Sequence, residues 1–419
     1  MAQLANGEKE ETGMHITDVG IWIIRMPWPE LTIGDKSTNP PPFLPQSRYF
    51  VRPENGCLYA GDLESVVVEV RTDQGISGWG EAQSPIGATA TASLIQEVVV
   101  PQILGQDPLD REVIWDNLGR SMATRGHFTG VYRDAVAAVD IALWDLVGHA
   151  LNVPVATLLG GIRRTRLEAY VSGVPGSTAS RRTERARDLM EAQGFRHFKL
   201  ALGYGVSEDV DEVRMMRDAV GNRVGLYVDA HWHYTATEAI RLGSALDALH
   251  VGFLEAPVPT ENEEAFIRVG ENTQIPLAVG EEFRSVRQHY RLLATGLVGV
   301  LQPDVGRCGI TGCQEIVHLA KLFGIPVAPH VGVGLGIYVA AALQLAAALP
   351  QFYLMECDPD PGLILANQLL ETPLVIDHGA YLLPDGPGLG VTVNRECLPS
   401  PFSGTEEYQE RSGVGDLKR

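Results

Sequence analysis

Apolar positions along this chain fall into two textures. Residues 15–26 and 64–72 are apolar stretches of strand character. The second, ESVVVEVRT, is rich in β-branched valine and stops at the turn signal Thr72-Asp73-Gln74-Gly75. Between them runs a long segment carrying Pro40 to Pro42, Pro45 and Pro53. Loops of that length in compact domains are usually functional or disordered. From about Thr91 to Leu151 the pattern turns helical. Residues 133–149 (RDAVAAVDIALWDLVGH) place apolar side chains at i, i+3 and i+4, with Asp140 and Asp145 as the polar interruptions. Leu159-Gly160-Gly161 closes this region, which predicts an α+β unit over residues 1–157.

Beyond Gly161, short apolar runs alternate with longer amphipathic stretches. The runs end on polar residues: HFKL at Lys199, LYVD at Asp229, GFLE at Glu255, LAVGE at Glu281, VLQPD at Asp304, PVAPH at His330 and YLME at Glu356. The last six are spaced by 26, 26, 23, 26 and 26 residues, room for one helix and two loops each. Thr237 to Leu249, Val286 to Thr295 and Gly312 to Phe323 are three such predicted helices. With LEAYVS at 167–172 there are eight strand candidates. Continuous apolar runs are what parallel strands buried on both sides require. Eight of them predict an α/β fold, a (β/α)₈-type TIM barrel over 158–365. A doubly wound sheet would carry a glycine-rich phosphate loop after its first strand, and SGVPGS does not match it. The proline- and glycine-rich tail, 366–419, is expected to pack back on the first domain.

Composition narrows the function. Hydrophobic residues make up 45% and charged residues 20% of 419, which is ordinary globular usage. The formal net charge of −19 argues against nucleic acid or anionic lipid as partner. The nearest approach to a membrane span, Ile337 to Leu349, is too short and contains Gln344. Five cysteines without a CxxC pair argue against a disulfide framework or zinc ribbon. The opening MAQLANGEKEETG has no apolar core of a secretory signal, so a cytoplasmic protein is expected.

In a barrel the C-terminal strand ends share one mouth, where catalysis occurs. Asp229, Glu255 and Glu281, on consecutive strands, would converge there. Three close carboxylates repel one another unless a cation sits between them, and an all-oxygen set suits Mg²⁺. Glu281 is followed by Glu282, and the apolar run places Glu281 first at the strand end. Asp304 beside His330 would fix the imidazole tautomer and make a general base. Lys199 would bind a substrate carboxylate oxygen, and Glu356, if protonated, would donate a hydrogen bond to the other. Each acid, read singly, is equally a helix cap.

The order Lys, Asp, Glu, Glu, Asp, His, Glu along successive strands resembles the mandelate racemase subgroup of the enolase superfamily. AVDIALWDLVGHALNVPVATLLGG (138–161), VDAHW, FLEAP, VGEE, QPDVGRCGI and PGLGVTVNRECL look like that subgroup over nearly the whole chain. The resemblance implies an N-terminal α+β capping domain completed by the C-terminal tail, a modified barrel, a Mg²⁺ site and a dimer or octamer. It also implies abstraction of the proton α to a carboxylate to give an enediolate. Racemases of the subgroup carry Lys-x-Lys on the second strand, whereas this chain has Lys199-Leu200-Ala201. Ala201 moves no proton, so one face of the substrate lacks its usual base. His231 lies two residues past Asp229, and a similar Asp-x-His in sugar-acid dehydratases of the subgroup protonates the leaving group. His233 is an alternative for that role, as is His330 itself. The expectation is therefore a Mg²⁺-dependent dehydratase of an aldonate or aldarate. An epimerase or cycloisomerase on the same scaffold, and a non-catalytic sugar-acid binder, are the alternatives. By the same resemblance the 28–62 loop would cover the mouth, with Arg48, Arg52 and Tyr59 as potential substrate partners. Arg307 is a mouth residue with no assigned role, and Cys308 and Cys313 are expected to pack within the sixth βα unit.

Overall fold

The computed structural model describes residues 13–28, 43–52, 56–259, 261–332 and 334–404. Pro40 to Pro42, Pro53 and the end of the tail lie outside the described residues. The N-terminal part is a three-stranded antiparallel sheet, β1 (Ile16–Pro27), β4 (Asp62–Thr72) and β5 (Ser77–Ala82), in the order β1-β4-β5. A small hairpin of β2 (Tyr49–Val51) and β3 (Leu58–Ala60) sits between β1 and β4 in sequence.

The helix Val131–Leu151 packs directly on β5. A Cβ at Gly80 would stand 1.9 Å from Ala138 O, and one at Gly78 would stand 2.3 Å from Leu146 N, so only glycine lets the backbones meet. The periodicity suggested one buried face for this helix; the structure buries nearly every side of it. Its other side lies against the helix Val305–Phe323 of the barrel, so the expected polar interruptions are themselves buried. Asp140 accepts from Thr311 N at 2.9 Å and Thr311 Oγ1 at 2.5 Å. Asp145 accepts from Trp79 N at 2.8 Å and from Leu389 N of the tail at 2.7 Å. Each buried carboxylate thus joins two parts of the fold, which offsets its desolvation.

Six parallel strands open the barrel: β6 (Arg166–Ser172), β7 (His197–Ala201), β8 (Gly225–Asp229), β9 (Val251–Glu255), β10 (Leu277–Val279) and β11 (Val298–Leu301). The eighth, β12 (Met355–Cys357), pairs with β6 in parallel and closes the ring. The seventh run is reduced to isolated bridges, Leu301 to Val327, Asp304 to His330 and Val327 to Phe352. Pro326 and Pro329 have no N–H to give a ladder there. Seven helices of eight or more residues follow the first seven strand positions, and the last connection carries only the short helix Gly362–Asn367. This is the modified barrel that the resemblance implied. Tyr170, Tyr227 and Phe253 fill its interior, the last two stacked at 4.4 Å between centroids.

The tail first adds an antiparallel hairpin of β13 (Ile376–Asp377) and β14 (Ala380–Leu382), whose β14 pairs antiparallel with the start of β6. It then returns to the capping sheet, where Phe402 N donates to Ile21 O and Arg395 pairs with Glu69. No helix among the described residues is long and apolar enough to cross a membrane.

Candidate active site

The helix predicted to start at Gly312 starts at Val305, and its N-cap is Asp304, whose Oδ1 accepts from Gly306 N at 2.8 Å. Gly306, Gly309 and Gly312 hid these first turns in the sequence, and Gly309, at φ 69°, kinks the helix. The other oxygen of Asp304, Oδ2, lies 2.7 Å from His330 Nδ1. Both expectations for Asp304, cap and imidazole partner, hold at once.

All eight predicted site residues meet at the C-terminal mouth of the strands or just inside it. Lys199 Nζ donates to Glu255 Oε2 and to Glu356 Oε1, each at 2.9 Å, and lies 3.8 Å from Asp229 Oδ2. His330 Nε2 lies 2.6 Å from Glu281 Oε2 and 3.7 Å from Glu356 Oε2. Glu281 is thus the member of the Glu281–Glu282 pair that faces His330. His231 donates its backbone N–H to Asp229 Oδ1 at 2.9 Å, and its Nε2 lies 3.3 Å from Asp229 Oδ2. His231 and Trp232 both take positive φ, 47° and 57°, a sharp turn after β8 that returns the imidazole toward the aspartate. His233 is exposed and packs its ring edge-on against Tyr234. Ala201 pairs in register with Asp229, so the position of the absent second lysine is beside the acids.

Electrostatics follow from this packing. Burial works against the Lys199 ammonium, yet Glu255 and Glu356 outweigh it and hold its pKa well above the lysine range. Burial likewise opposes charge on His330, and Glu281, Glu356 and Asp304 overcome it, so its pKa is also raised. Burial pushes the Glu255 carboxyl up. Glu356 departs from the sequence expectation of a protonated donor. Its Oε1 accepts from Lys199 and from Ser172 Oγ at 2.6 Å, and its Oε2 accepts from Val331 N at 2.8 Å and Gly332 N at 3.3 Å. Burial alone would raise its pKa, but Lys199, His330 and these donors hold it well below the carboxylate range. Glu356 is an anion that anchors Lys199.

The donor set tests for a divalent cation. No three acid, histidine or cysteine side chains among the described residues stand as a ready-made cage. The cation among these carboxylates is Lys199, and Glu281 is taken by His330. Yet Glu255 Oε1 is buried without a hydrogen-bond partner. A bare buried carboxylate oxygen beside Asp229 and near Glu281, in an all-oxygen set, fits a hard cation such as Mg²⁺.

Two participants, Ser172 and Gln302, escaped the sequence reading because they carry no charge, and Arg307, expected at the mouth, gains its partners here. Ser172 ends the first barrel strand. Gln302, two residues before Asp304, donates to Glu255 Oε2 at 2.8 Å. Arg307 donates to Glu281 O at 2.6 Å, lies 3.5 Å from Asp304 and bonds Gln83 of the capping domain. Arg48 lies 3.4 Å from Glu64, which also binds Arg25 and Tyr49, and Arg52 stacks over Tyr59 at 4.2 Å. Those loop residues are engaged within the cap. Cys308 and Cys313 are both buried within the Val305–Phe323 helix.

Residues 60–160 match the N-terminal domain of the mandelate racemase/muconate lactonizing enzyme family, and 181–397 match the enolase C-terminal domain-like family. The chain belongs to the mandelate racemase group of the enolase superfamily. Among relatives it is 35% identical to a D-galactarolactone cycloisomerase of Agrobacterium fabrum, over 80% of this chain and 90% of that one. It is 30% identical to an arabinonate dehydratase of Saccharolobus solfataricus, over 79% of this chain and 88% of that one. A solved member of the enolase superfamily from Agrobacterium tumefaciens superposes with a TM-score of 0.87 at 32% identity, covering 92% of this chain and 98% of that one. Relatives of this enolase-superfamily chain thus include sugar-acid dehydratases and a cycloisomerase, and the protein is an enzyme.

Proposed function

We propose that this enzyme dehydrates a sugar acid, an aldonate or aldarate, to a 2-keto-3-deoxy acid. The observation that carries the reading is the asymmetry of the site. A histidine–aspartate pair stands on one side, and Ala201 stands where a second base would be needed for racemisation.

Asp229, Glu255 and Glu281 would hold Mg²⁺, which when bound supplies Lewis-acid polarisation of the substrate carboxylate. Lys199, kept charged by its neighbours, pairs with a carboxylate oxygen and offsets the second negative charge that grows there. Glu356, Ser172 and the Val331 N–H fix that ammonium rather than touching substrate. His330 Nε2 takes the C2 proton once it is released from Glu281, and Asp304 on Nδ1 stabilises the imidazolium. Electrons from the broken C2–H bond form the C2–C3 double bond, and the C3–O bond breaks. His231, part-exposed at the mouth beside Asp229, gives the proton that lets the oxygen leave as water. The enol then becomes the keto acid.

A second reading is favoured by the cycloisomerase relative. If the C3 oxygen is tethered in a ring, the same proton abstraction and C–O cleavage open the ring and no atoms are lost. The experiment is a library of sugar acids and their lactones with Mg²⁺, read by mass spectrometry. Loss of one water supports dehydration, an isomeric 2-keto acid supports ring opening, and C2 exchange without C–O cleavage contradicts both. Within the same assay, His231→Asn is expected to slow water loss about a hundredfold. An unaffected rate would remove His231 as the acid.

A further inference from the structure

Two donors converge on one oxygen of Glu255. Lys199 Nζ at 2.9 Å and Gln302 Nε2 at 2.8 Å both point at Oε2. The other oxygen, Oε1, is buried and without a partner. A carboxylate free to rotate would share its donors between both oxygens; this one is clamped. Gln302 is fully buried just beyond β11, and its own backbone N–H donates to Val279 O of β10 at 2.9 Å, so the clamp is set on two strands of the barrel wall. Its side chain is neutral. It therefore holds Glu255 without adding to the positive charge of Lys199, which would compete with a cation for the same acids.

We propose that Gln302 is a positioning residue that presents Glu255 Oε1 to the divalent cation. The proposal rests on the carboxylate set being the metal site, and its test separates the two. Full-length wild type and Gln302→Met are stripped of metal and titrated with Mn²⁺ without substrate, following free Mn²⁺ by electron paramagnetic resonance. Met keeps the volume and removes the donor. The expected result is Mn²⁺ affinity lower by about ten- to a hundredfold in Gln302→Met, with the melting temperature of the metal-free protein close to wild type. Gln302→Asn, whose shorter amide falls away from Glu255, serves as the second variant and is expected to weaken binding likewise. Affinity unchanged in either folded variant overturns the positioning role. Wild type that binds no Mn²⁺ overturns the metal reading itself and the proposal with it.

Discussion

Asp304 holds His330 through a 2.7 Å contact between Oδ2 and Nδ1 while its other oxygen caps the helix Val305–Phe323 at Gly306 N. One side chain therefore serves stability and chemistry, and a substitution separates them. Asparagine caps a helix about as well as aspartate but does not stabilise an imidazolium. Asp304→Asn is expected to melt near the wild-type temperature and to lose about a hundredfold or more in kcat. Equal losses in both would mean that the aspartate is structural only.

Lys199 is the only cation within 4 Å of Asp229, Glu255 and Glu356 together among the described ion pairs. Removing it leaves buried acids facing one another. Lys199→Met is expected to destabilise the metal-free protein by about 3–5 kcal/mol, the cost of breaking a buried pair from one side. Denaturant melts with and without Mg²⁺ check this, and the variant should regain stability with metal more than wild type does. An unchanged melt in chelator would show that the acids are protonated instead of paired.

Glu81 of β5 links the two parts of the fold away from the catalytic acids. It accepts from Leu335 N at 2.7 Å and Tyr338 N at 2.9 Å, at the start of the helix Gly336–Ala348. Burial pushes its carboxyl up to about 7. The neutral form is accommodated: its proton can go to Ser65 Oγ at 2.8 Å while Ser65 donates to Ala82 O at 3.1 Å. Because the folded pKa exceeds the unfolded one, its contribution is full below about pH 4.5 and is lost as pH rises through about 7, worth at most about 3 kcal/mol. Melting temperature should therefore carry a falling component between those values. Glu81→Gln should flatten that component, though it lowers the plateau because the amide turns an N–H toward a backbone N–H. A slope unchanged in the variant would assign it elsewhere.

Much of the site was legible because charged residues stop apolar runs at the strand ends, and a barrel brings every such end to one mouth. The regular spacing from Asp229 to Glu356 carried the fold for the same reason. What stayed hidden depends on partners distant in the chain. Whether Glu356 is charged is decided by Ser172, Lys199 and the Val331 N–H, which no local pattern joins to it. Gln302 bears no charge and sits inside a motif read for its aspartate, although its place two residues before Asp304 put it near the same mouth. The helix over residues 133–149 read as amphipathic because Asp140 and Asp145 break its apolar run, yet those acids face buried donors from Thr311, Trp79 and Leu389.

The central claim is that His330 removes the C2 proton and that C–O cleavage follows. It is tested most directly by wild type and His330→Asn with an accepted sugar acid in heavy water, following C2 deuterium and 2-keto acid together. The account predicts that His330→Asn loses both signals by about a hundredfold to ten-thousandfold while still binding Mn²⁺. Retained turnover, or retained C2 exchange, in the folded variant would contradict it.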